Sequence, residues 1–527
     1  MQSSSTPEAS SAREPAGFRS IADVIREHAS TRPAQPALLQ DDASLTWGEL
    51  DALMDRIAAG LQRDGVLPGQ AIALAGMPTL LQAALFLGAL RAGAVVAPLA
   101  PSVTANDFAA MLADSQARRL FVDAGAAALV PEDARERCIA LAAGAPGHAF
   151  DAWLPSASTA PQPVTTSPDS AFNIIYSSGT TGTPKGIVQP HRMRWSHVQR
   201  GAKYGYGPDT VTLLATPLYS NTTLVVLFPS VAFGATTVIM SKFDAARYLA
   251  LAARHRATHT MLVPVQYQRI MARADFGDHD LSAFRAKFCT SAPFPAALKV
   301  DVLARWPGGL TEFYGLTEGG GTCILDAHLH PDKLHTVGRP AEGSDIRLID
   351  DDDREVGPGE AGEVVGHSPG MMSGYHGRPE LTRAAEWYAP DGKRFIRTGD
   401  VGRFDEDGFL ALIDRKKDMI ISGGFNIYPS DLEAQLRSHP AVADVSVVGV
   451  PSEQWGETPV AFVVRRPGDA TPADALREWL ASRVGKTQRL GGLQFVDELP
   501  RSAIGKVLKR ELRERWTAGE LGNTSTP

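Results

Sequence analysis

The chain has 527 residues, which at about 150 residues per domain predicts two to four structural units rather than one small domain. Its hydrophobic content of 44% and charged content of 21% are ordinary for a globular protein with a large core. A net charge of -7 excludes a general attraction to nucleic acid or to an anionic membrane, so an acidic ligand needs a local site.

The first residues and the cysteines indicate the compartment. Residues 1–17 are rich in Ser, Ala, Glu and Pro and lack an apolar segment, so we expect a disordered tail and no signal peptide. Cys138, Cys289 and Cys323 lie far apart without metal-ligand spacing. Because this pattern is typical of buried thiols in a reducing compartment, we expect a cytoplasmic protein.

Two apolar stretches, at 80–97 and 222–240, approach the length of a membrane span. The first contains a glutamine and an arginine, and the second is interrupted by a proline and a glycine. Each therefore predicts a buried helix followed by a strand, and we expect no membrane span.

The first third of the chain alternates between strand and helix patterns. Apolar residues recur at helical spacing from Trp47 to Leu61, after a short strand around Leu45. Short apolar runs of strand length follow at 71–75, 95–98 and 120–123. This alternation predicts parallel strands covered by helices. Residues 144–170, rich in Pro, Ala, Ser and Thr, indicate a long connector.

A loop of phosphate-binding composition follows the apolar run at 172–176. Its ten residues are Ser177, Ser178, Gly179, Thr180, Thr181, Gly182, Thr183, Pro184, Lys185 and Gly186. Glycines let backbone N–H groups approach an anion, hydroxyls donate further hydrogen bonds, and the lysine adds a positive charge. The spacing differs from that of the Walker ATP-binding loop. A polar surface loop is the alternative that composition alone leaves open.

The rest of the chain predicts three further regions. Strands and helices continue to alternate as far as a helix at 295–306. From 345 the alternating pattern predicts a small antiparallel β subdomain, and five consecutive charges at 414–418 indicate a domain boundary. The remainder predicts a small α+β domain. We therefore expect an α/β protein with a tail at 1–17, a large N-terminal domain at 18–414 and a small C-terminal domain at 415–527.

Five short motifs lie in a fixed order along the chain. They are the loop at 177–186, YGLTE at 314–318, RTGD at 397–400, the run at 414–433 and PRSAIGK at 500–506. Together they resemble the adenylate-forming (AMP-binding) superfamily, which includes acyl- and aryl-CoA synthetases, peptide-synthetase adenylation domains and firefly luciferase. The resemblance covers about residues 18–516.

The resemblance implies a two-step reaction with ATP, Mg2+ and coenzyme A. The carboxylate of a small-molecule acid attacks the α-phosphorus of ATP and pyrophosphate leaves. The resulting acyl-AMP then gives its acyl group to a thiol. The first step brings two anions together, so the site must supply positive charge and fixed dipoles.

The resemblance also implies roles for individual residues around ATP. The 177–186 loop would hold the β- and γ-phosphates with Lys185 as its charge, Thr317 would donate to the α-phosphate, and Glu318 would be the Mg2+ ligand. Tyr314 would stack on adenine, although ordinary core packing also explains a tyrosine there. Further nucleotide contacts are expected from Ser291, Ala292, Pro293 and Gly315.

Later motifs would complete the reaction. Asp400 and Arg415 match the ribose contacts, although a turn carboxylate and a solvated linker charge are alternatives. Lys506 matches the adenylation lysine, which bridges the acid carboxylate and the α-phosphate. Lys417 matches the hinge about which the small domain alternates between the two steps. Residues expected near coenzyme A are Gly423, Gly424, Asn426 and Trp455.

The acyl pocket is expected within 219–223, 265–267, 290–293 and 319–322. Its named residues are Tyr219, Ser220, Asn221, Gln266, Gly319, Gly320 and Gly321. Many relatives carry a histidine where this chain has Ser220. The three glycines favour a bulky aromatic, alicyclic or medium-chain acid, unless they serve backbone approach only. Asn221, Thr222 and Gln266 favour a polar substituent on the acid, unless they bond to backbone.

Two other functions remain open at this point. An acyl-AMP ligase would load a separate carrier protein, because no carrier-like segment follows Lys506. A non-catalytic ligand-binding relative is the other alternative, which the presence of Lys506, Glu318 and Asp400 disfavours. We expect no nucleic-acid partner and either a monomer or a homodimer.

Overall fold

The structure, a computed structural model, describes residues 17–177, 184–422, 425–485, 488–502 and 505–519. Its described residues fall into two compact units. The first comprises those within Met1–Leu334, Pro340–Asp345 and His367–Ile396. The second comprises those within His335–Arg339, Ile346–Gly366 and Arg397–Pro527.

The first unit contains a sheet that carries the glycine-rich loop. Its strands follow the order Gly374–Tyr375, Lys185–Pro190, Ala171–Ser177, Val95–Leu99, Ala71–Ala75, Leu120–Val122, Cys138–Ala140 and His148–Ala149. From Ala171–Ser177 onward the neighbouring strands are parallel, whereas Lys185–Pro190 pairs with both of its neighbours in the antiparallel sense.

A second sheet of the first unit is also mostly parallel. Its strands follow the order Gly319–Asp326, Gly309–Leu316, Ala286–Cys289, His259–Leu262, Val211–Leu214, Thr236–Ile239, Pro36–Gln40 and Ala43–Thr46. The α-helices of this unit are Ile21–Thr31, Trp47–Arg63, Leu80–Arg91, Ala105–Ser115, Phe150–Trp153, His191–Gly201, Asn221–Ala232, Ala245–Arg254, Pro264–Met271, Ala296–Arg305 and Pro379–Ala384.

The main core of the first unit joins strands and helices around aromatic side chains. Phe86, Phe172 and Phe228 are fully buried. The ring of Phe172 lies 4.8 Å from that of Phe228, and the ring of Phe86 lies 6.0 Å from that of Phe172. Because Phe172 belongs to the strand before the glycine-rich loop and Phe228 to the helix Asn221–Ala232, this packing fixes two functional segments against each other.

The second unit is built around antiparallel strands. It contains the larger part of Asp345–Ile349, Gly362–His367 and Arg394–Phe404, and all of Leu410–Arg415. Its last sheet follows the order Phe425–Ile427, Ile420–Ser422, Gly456–Arg465 and Val442–Ser452, with Gly492–Phe495 beside Gly456–Arg465. Its α-helices are Pro429–Arg437, Ala473–Ala481 and Lys509–Thr517.

Most sequence-predicted elements are present within a few residues of their expected bounds. The helix predicted around Trp47 spans Trp47–Arg63 and starts with a capping box, in which Thr46 and Glu49 bond to each other's backbone N–H groups. The α/β alternation, the antiparallel strands after 345 and the small α+β region at the end are confirmed. Among the described residues, no helix has both the length and the apolar character needed to cross a membrane. The three cysteines are buried and unpaired.

Candidate active site

The residues expected to line the acyl pocket follow strands that end at one edge of the second sheet. Val211–Leu214, His259–Leu262, Ala286–Cys289 and Gly309–Leu316 run parallel to one another. Their carboxyl ends therefore meet at the same edge, which is where ligands bind in open α/β sheets. The segments after these strands contain all the predicted pocket residues. The fold thus brings together positions that are about 100 residues apart in sequence.

Ser220 is the N-cap of the helix Asn221–Ala232. Its hydroxyl oxygen accepts a hydrogen bond of 3.3 Å from the backbone N–H of Thr222. One of the N–H groups at the helix start is thereby satisfied. Ser220 therefore has a structural role as a helix cap, which was not predicted from the sequence.

Two hydroxyls connect this helix to the loop at 290–293. The hydroxyl oxygens of Thr222 and Ser291 lie 2.6 Å apart. Ser291 has a φ of 82°, although it is not a glycine. Such a conformation is strained for a residue with a side chain, and strained residues held by their surroundings are frequent at binding sites. Thr290 anchors the same loop by donating to the carbonyl of Phe313 over 2.8 Å.

Gln266 and Tyr219 are two further polar side chains at this edge of the second sheet. The Gln266 amide donates to the carbonyl of Ala215 over 2.9 Å and accepts from the N–H of Val263 over 3.0 Å. Gln266 therefore bonds to backbone, which is the alternative to recognition of a polar substituent on the acid. Tyr219 is half-buried, and burial raises the pKa of its hydroxyl.

The three glycines after Glu318 all adopt left-handed backbone conformations, with φ values of 81°, 77° and 90°. At Gly319 a β-carbon would lie 2.7 Å from the carbonyl oxygen of Gly370. The N–H of Met372 donates to the carbonyl of Glu318 over 2.8 Å, so the two backbones pass very close to each other. Gly319 is therefore explained by backbone approach, and it gives no support to a bulky acid.

A lysine, a tyrosine and a carboxylate form a cluster at the end of the glycine-rich loop. The Nζ of Lys185 lies 5.4 Å from the centre of the Tyr375 ring, within cation–π distance. The Tyr375 hydroxyl donates to Oε1 of Glu318 over 2.9 Å. Burial and the Glu318 charge both raise the pKa of Tyr375, so its hydroxyl stays protonated as a donor.

Tyr375 was not predicted as a site residue, because the residues around it in the sequence form no motif that indicates a function. The residue lies in a two-residue strand, Gly374–Tyr375, that pairs with Lys185–Pro190. Only this pairing brings it beside Lys185. Ser177 pairs directly with Lys185 across the loop, whereas the predicted phosphate contacts Ser178, Gly179, Thr180, Thr181, Gly182 and Thr183 lie outside the described residues.

The YGLTE motif spans the end of one strand and the turn after it. Tyr314 is half-buried in Gly309–Leu316, and Gly315 beside it is exposed. Thr317 and Glu318 form the turn before the strand Gly319–Asp326. The carbonyl of Thr317 accepts a hydrogen bond of 2.6 Å from the side chain of Gln189, which fixes the position of the turn.

Within the second unit, the two residues expected at the ribose face each other across a hairpin. Asp400 pairs with Arg415 in the antiparallel register of their strands. Nε of Arg415 lies 2.8 Å from Oδ1 of Asp400, and the Asp400 residue is buried. The hairpin therefore holds a carboxylate and a guanidinium side by side.

Lys506 lies in the same unit, and the charges of Asp400 and Arg415 both affect its pKa. Its side chain as a whole is exposed, yet protein atoms around its ammonium group partly desolvate it. This partial burial, together with the charges of Arg415 and Lys417, lowers the pKa of Lys506 to about 8, while Asp400 and Asp418 oppose the shift. Lys417 is exposed, in the short turn Lys416–Asp418.

The residues expected near coenzyme A are described only in part. Trp455 has 51% of its surface exposed and precedes Gly456, which pairs with Ser422. Gly423 and Gly424 and the side chain of Asn426 lie outside the described residues.

No cluster of three or more His, Cys, Asp or Glu side chains suited to a metal ion occurs in the described part of the chain. Such a cluster is not required for Mg2+, which proteins commonly hold through one or two carboxylates and substrate phosphates. The carboxylate of Glu318, close to Lys185 and the loop, fits that arrangement.

Comparison with known proteins gives the family. A model described as AMP-binding enzyme matches residues 25–376, and one described as AMP-binding enzyme C-terminal domain matches residues 431–506. The chain is 35% identical over 493 residues to a feruloyl-CoA synthase of Amycolatopsis sp, covering 92% of this chain and 96% of the relative. It is 33% identical over 512 residues to the fatty acid acyl-carrier-protein ligase ScoC of Streptomyces coeruleorubidus, covering 95% and 97%.

A solved structure gives the same result. ATP-bound MatB from Rhodopseudomonas palustris matches with a TM-score of 0.84 and 28% identity, over 94% of this chain and 99% of that one. The order of the five motifs, the two matched regions and the near full-length similarity agree. The chain belongs to the AMP-binding enzyme family, the adenylate-forming superfamily that its motifs resemble.

Proposed function

We propose that this chain uses ATP to activate a carboxylic acid as an acyl-AMP, with release of pyrophosphate, and then transfers the acyl group to coenzyme A. The cluster of Lys185, Tyr375 and Glu318 carries the proposal. It combines a cation suited to polyphosphate with a carboxylate suited to Mg2+, beside a loop rich in glycine and hydroxyls. The similarity to a feruloyl-CoA synthase supports coenzyme A as the acceptor.

In the first step, the acid's carboxylate attacks the α-phosphorus and the bond to the β-phosphate oxygen breaks. Negative charge then builds up on the α-phosphate and on the leaving pyrophosphate. Lys185 and the 177–186 loop would hold the leaving group, and Thr317 would donate to the α-phosphate. The hydrogen bond from Gln189 holds the turn of Thr317 in place, and a donor that is fixed before the reaction needs little reorganisation when the charge develops.

Glu318 is the residue that would hold Mg2+. The hydrogen bond from Tyr375 orients its carboxylate, which has further lone pairs for a metal. When bound, the ion would supply positive charge to the polyphosphate. Tyr375 acts on this site through Glu318 and is therefore a positioning residue.

The nucleoside would contact residues from several separate parts of the sequence. Tyr314 would stack on adenine, beside the backbone of Ser291, Ala292, Pro293 and Gly315. Asp400 would accept hydrogen bonds from the ribose hydroxyls, and Arg415 would contribute the second ribose contact. The ion pair of Asp400 and Arg415 supports this role, because it fixes the carboxylate in the extended hairpin.

Lys506 would bridge the acid carboxylate and the α-phosphate during adenylation. In the second step a thiol must reach the acyl carbon, so we propose that residues 415–527 move as one domain about Lys417. Gly423, Gly424, Asn426 and Trp455 would then contact coenzyme A. The exposed ring of Trp455 supports this role, since a flat apolar surface can stack on a nucleotide base. The separate N-terminal domain would be 18–414.

The acid is proposed to be aromatic, with alicyclic and medium-chain acids as the alternatives. The name of the feruloyl-CoA synthase relative supports an aromatic acid, whereas Gly319 adds nothing to the argument. A carrier-protein acceptor is the second candidate function, and the similarity to ScoC favours it. A non-catalytic relative is disfavoured by the presence of Lys506, Glu318 and Asp400. A cytoplasmic location and a monomer or homodimer stay predictions.

A panel of acids tests the proposal. Pyrophosphate release is measured with ferulate, indole-3-acetate, cyclohexanecarboxylate, octanoate and acetate, each with ATP and Mg2+. We expect release with at least one aromatic acid and, on addition of coenzyme A, formation of the acyl-CoA thioester. Acyl transfer to a phosphopantetheinylated carrier protein without transfer to coenzyme A would support the carrier-loading function instead. No release with any acid would contradict both.

A further inference from the structure

A buried arginine without an acidic partner contacts Asn221, a residue expected to line the acyl pocket. Arg194, on the helix His191–Gly201, is 0% exposed. Within the described part of the chain, no carboxylate forms an ion pair with it. Burial lowers the pKa of Arg194 to about 9, which still leaves the guanidinium charged at neutral pH.

The partners of Arg194 are three neutral amide oxygens. Its Nε donates to Asn173 over 3.0 Å, its Nη1 donates to Asn221 over 2.7 Å, and its Nη2 donates to Gln189. The Asn173 amide also donates to Gln189 over 2.8 Å. Each of the three nitrogens thus has one acceptor, but no negative charge balances the guanidinium. Burying an unbalanced charge is costly, so its retention suggests that negative charge arrives with a ligand.

The same amides reach the proposed reaction site. The side-chain nitrogen of Gln189 donates to the carbonyl of Thr317 over 2.6 Å and lies 3.3 Å from Oδ1 of Asn221. One atom therefore lies between the turn that would hold the α-phosphate and the first residue of the acyl-pocket helix. An acid that attacks the α-phosphorus has to place its carboxylate in this neighbourhood.

The contacts of Asn221 determine which way its amide faces. Two N–H groups, from Arg194 and Gln189, point at the same atom of Asn221, so that atom is the oxygen. The amide nitrogen is left without a protein acceptor among the described residues, on a half-buried side chain at the pocket edge. Asn221 thus offers the pocket a donor and no acceptor, a preference that suits a carboxylate.

Resting on the proposed function, we propose that Arg194 is a positioning residue for the acid's carboxylate. Arg194 holds the Asn221 amide so that the amide N–H group faces the pocket and donates to the carboxylate. The positive charge of Arg194, behind that amide, attracts the carboxylate. Ser220, the residue before Asn221, is the N-cap of the helix Asn221–Ala232, and its hydroxyl oxygen accepts from the Thr222 N–H. We assign the orientation of the carboxylate to the next residue, Asn221, with Arg194 behind it, because the Asn221 amide nitrogen has no acceptor among the described residues.

The test uses the acid of the panel with the highest kcat/KM and its acyl-sulfamoyl adenosine, an analogue of the acyl-AMP without a free carboxylate. R194M is expected to raise the KM for the acid about 10- to 100-fold, because a hydrogen-bonded charge is lost. The KM for ATP and the affinity for the analogue should change far less. R194K should recover part of the loss because it keeps the charge.

N221A and the double variant complete the experiment. If Arg194 acts through Asn221, N221A raises the KM for the acid similarly, and R194M/N221A is no worse than the worse single variant. N221A keeps the buried cation and its other partners, so it remains informative if R194M does not fold. Additive effects, or equal weakening of acid and analogue, would overturn the inference while leaving the proposed function intact. Absence of pyrophosphate release by the unaltered protein would instead overturn the proposed function.

Discussion

Replacing Lys506 with alanine is expected to lower acid-dependent pyrophosphate release about 10²- to 10³-fold, because one preorganised positive charge is lost from the transition state. The variant should still convert supplied acyl-AMP and coenzyme A to acyl-CoA, since the lysine has no task in that step. The two rates are measured separately, by pyrophosphate release and by thioester formation from synthetic acyl-AMP.

Two controls accompany this variant. Arg510→Ala removes an exposed positive charge of the neighbouring helix Lys509–Thr517 and should leave both rates unchanged. With its pKa lowered to about 8, Lys506 loses its charge as pH rises through that value, so pyrophosphate release by the unaltered protein should decline there. Lys506→Arg should shift this decline to higher pH. Equal loss of both half-reactions in Lys506→Ala would contradict the proposed alternation of domains.

Replacing Glu318 with glutamine is expected to have an effect of similar size on catalysis. The neutral amide keeps the shape but removes the charge that would bind Mg2+, so kcat/KM for MgATP should fall about 100-fold or more. The Mg2+ concentration required for half-maximal pyrophosphate release should rise in parallel. Both are obtained by titrating Mg2+ at fixed ATP.

Tyr375→Phe should have a smaller effect than Glu318→Gln. It keeps the ring beside Lys185 and removes only the hydroxyl that donates to Glu318, so we expect a loss of about 10-fold. Glu360→Gln, at an exposed turn, should have no effect and serves as the matched control. An unchanged Mg2+ dependence in Glu318→Gln would exclude this residue as the metal ligand.

Elements with a clear apolar period were predictable from sequence. The run at 95–98 became the strand Val95–Leu99, and the stretch starting at Leu80 became the buried helix Leu80–Arg91. The run noted at 172–176, directly before the glycine-rich loop, lies within the strand Ala171–Ser177. Local pattern determines such features, so one segment of sequence contains the information.

Features that depend on long-range contacts were not predictable. The helix His191–Gly201 is rich in His and Arg, a composition typical of an exposed segment, yet Arg194 is fully buried because distant amides accept its hydrogen bonds. Tyr375 gains its position only through strand pairing with residues almost 190 positions earlier. The capping role of Ser220 was accessible in principle, since serine before a helix is a known start signal.

The most direct test of the proposed chemistry follows an oxygen atom. The acid is labelled with 18O in its carboxylate and incubated with the protein, ATP, Mg2+ and coenzyme A, and the products are analysed by mass spectrometry. Attack of the carboxylate on the α-phosphorus, followed by thiol attack on the acyl carbon, leaves one labelled oxygen in AMP. We predict AMP carrying a single 18O atom for each acyl-CoA formed. Label in inorganic phosphate, or unlabelled AMP, would contradict an acyl-AMP intermediate.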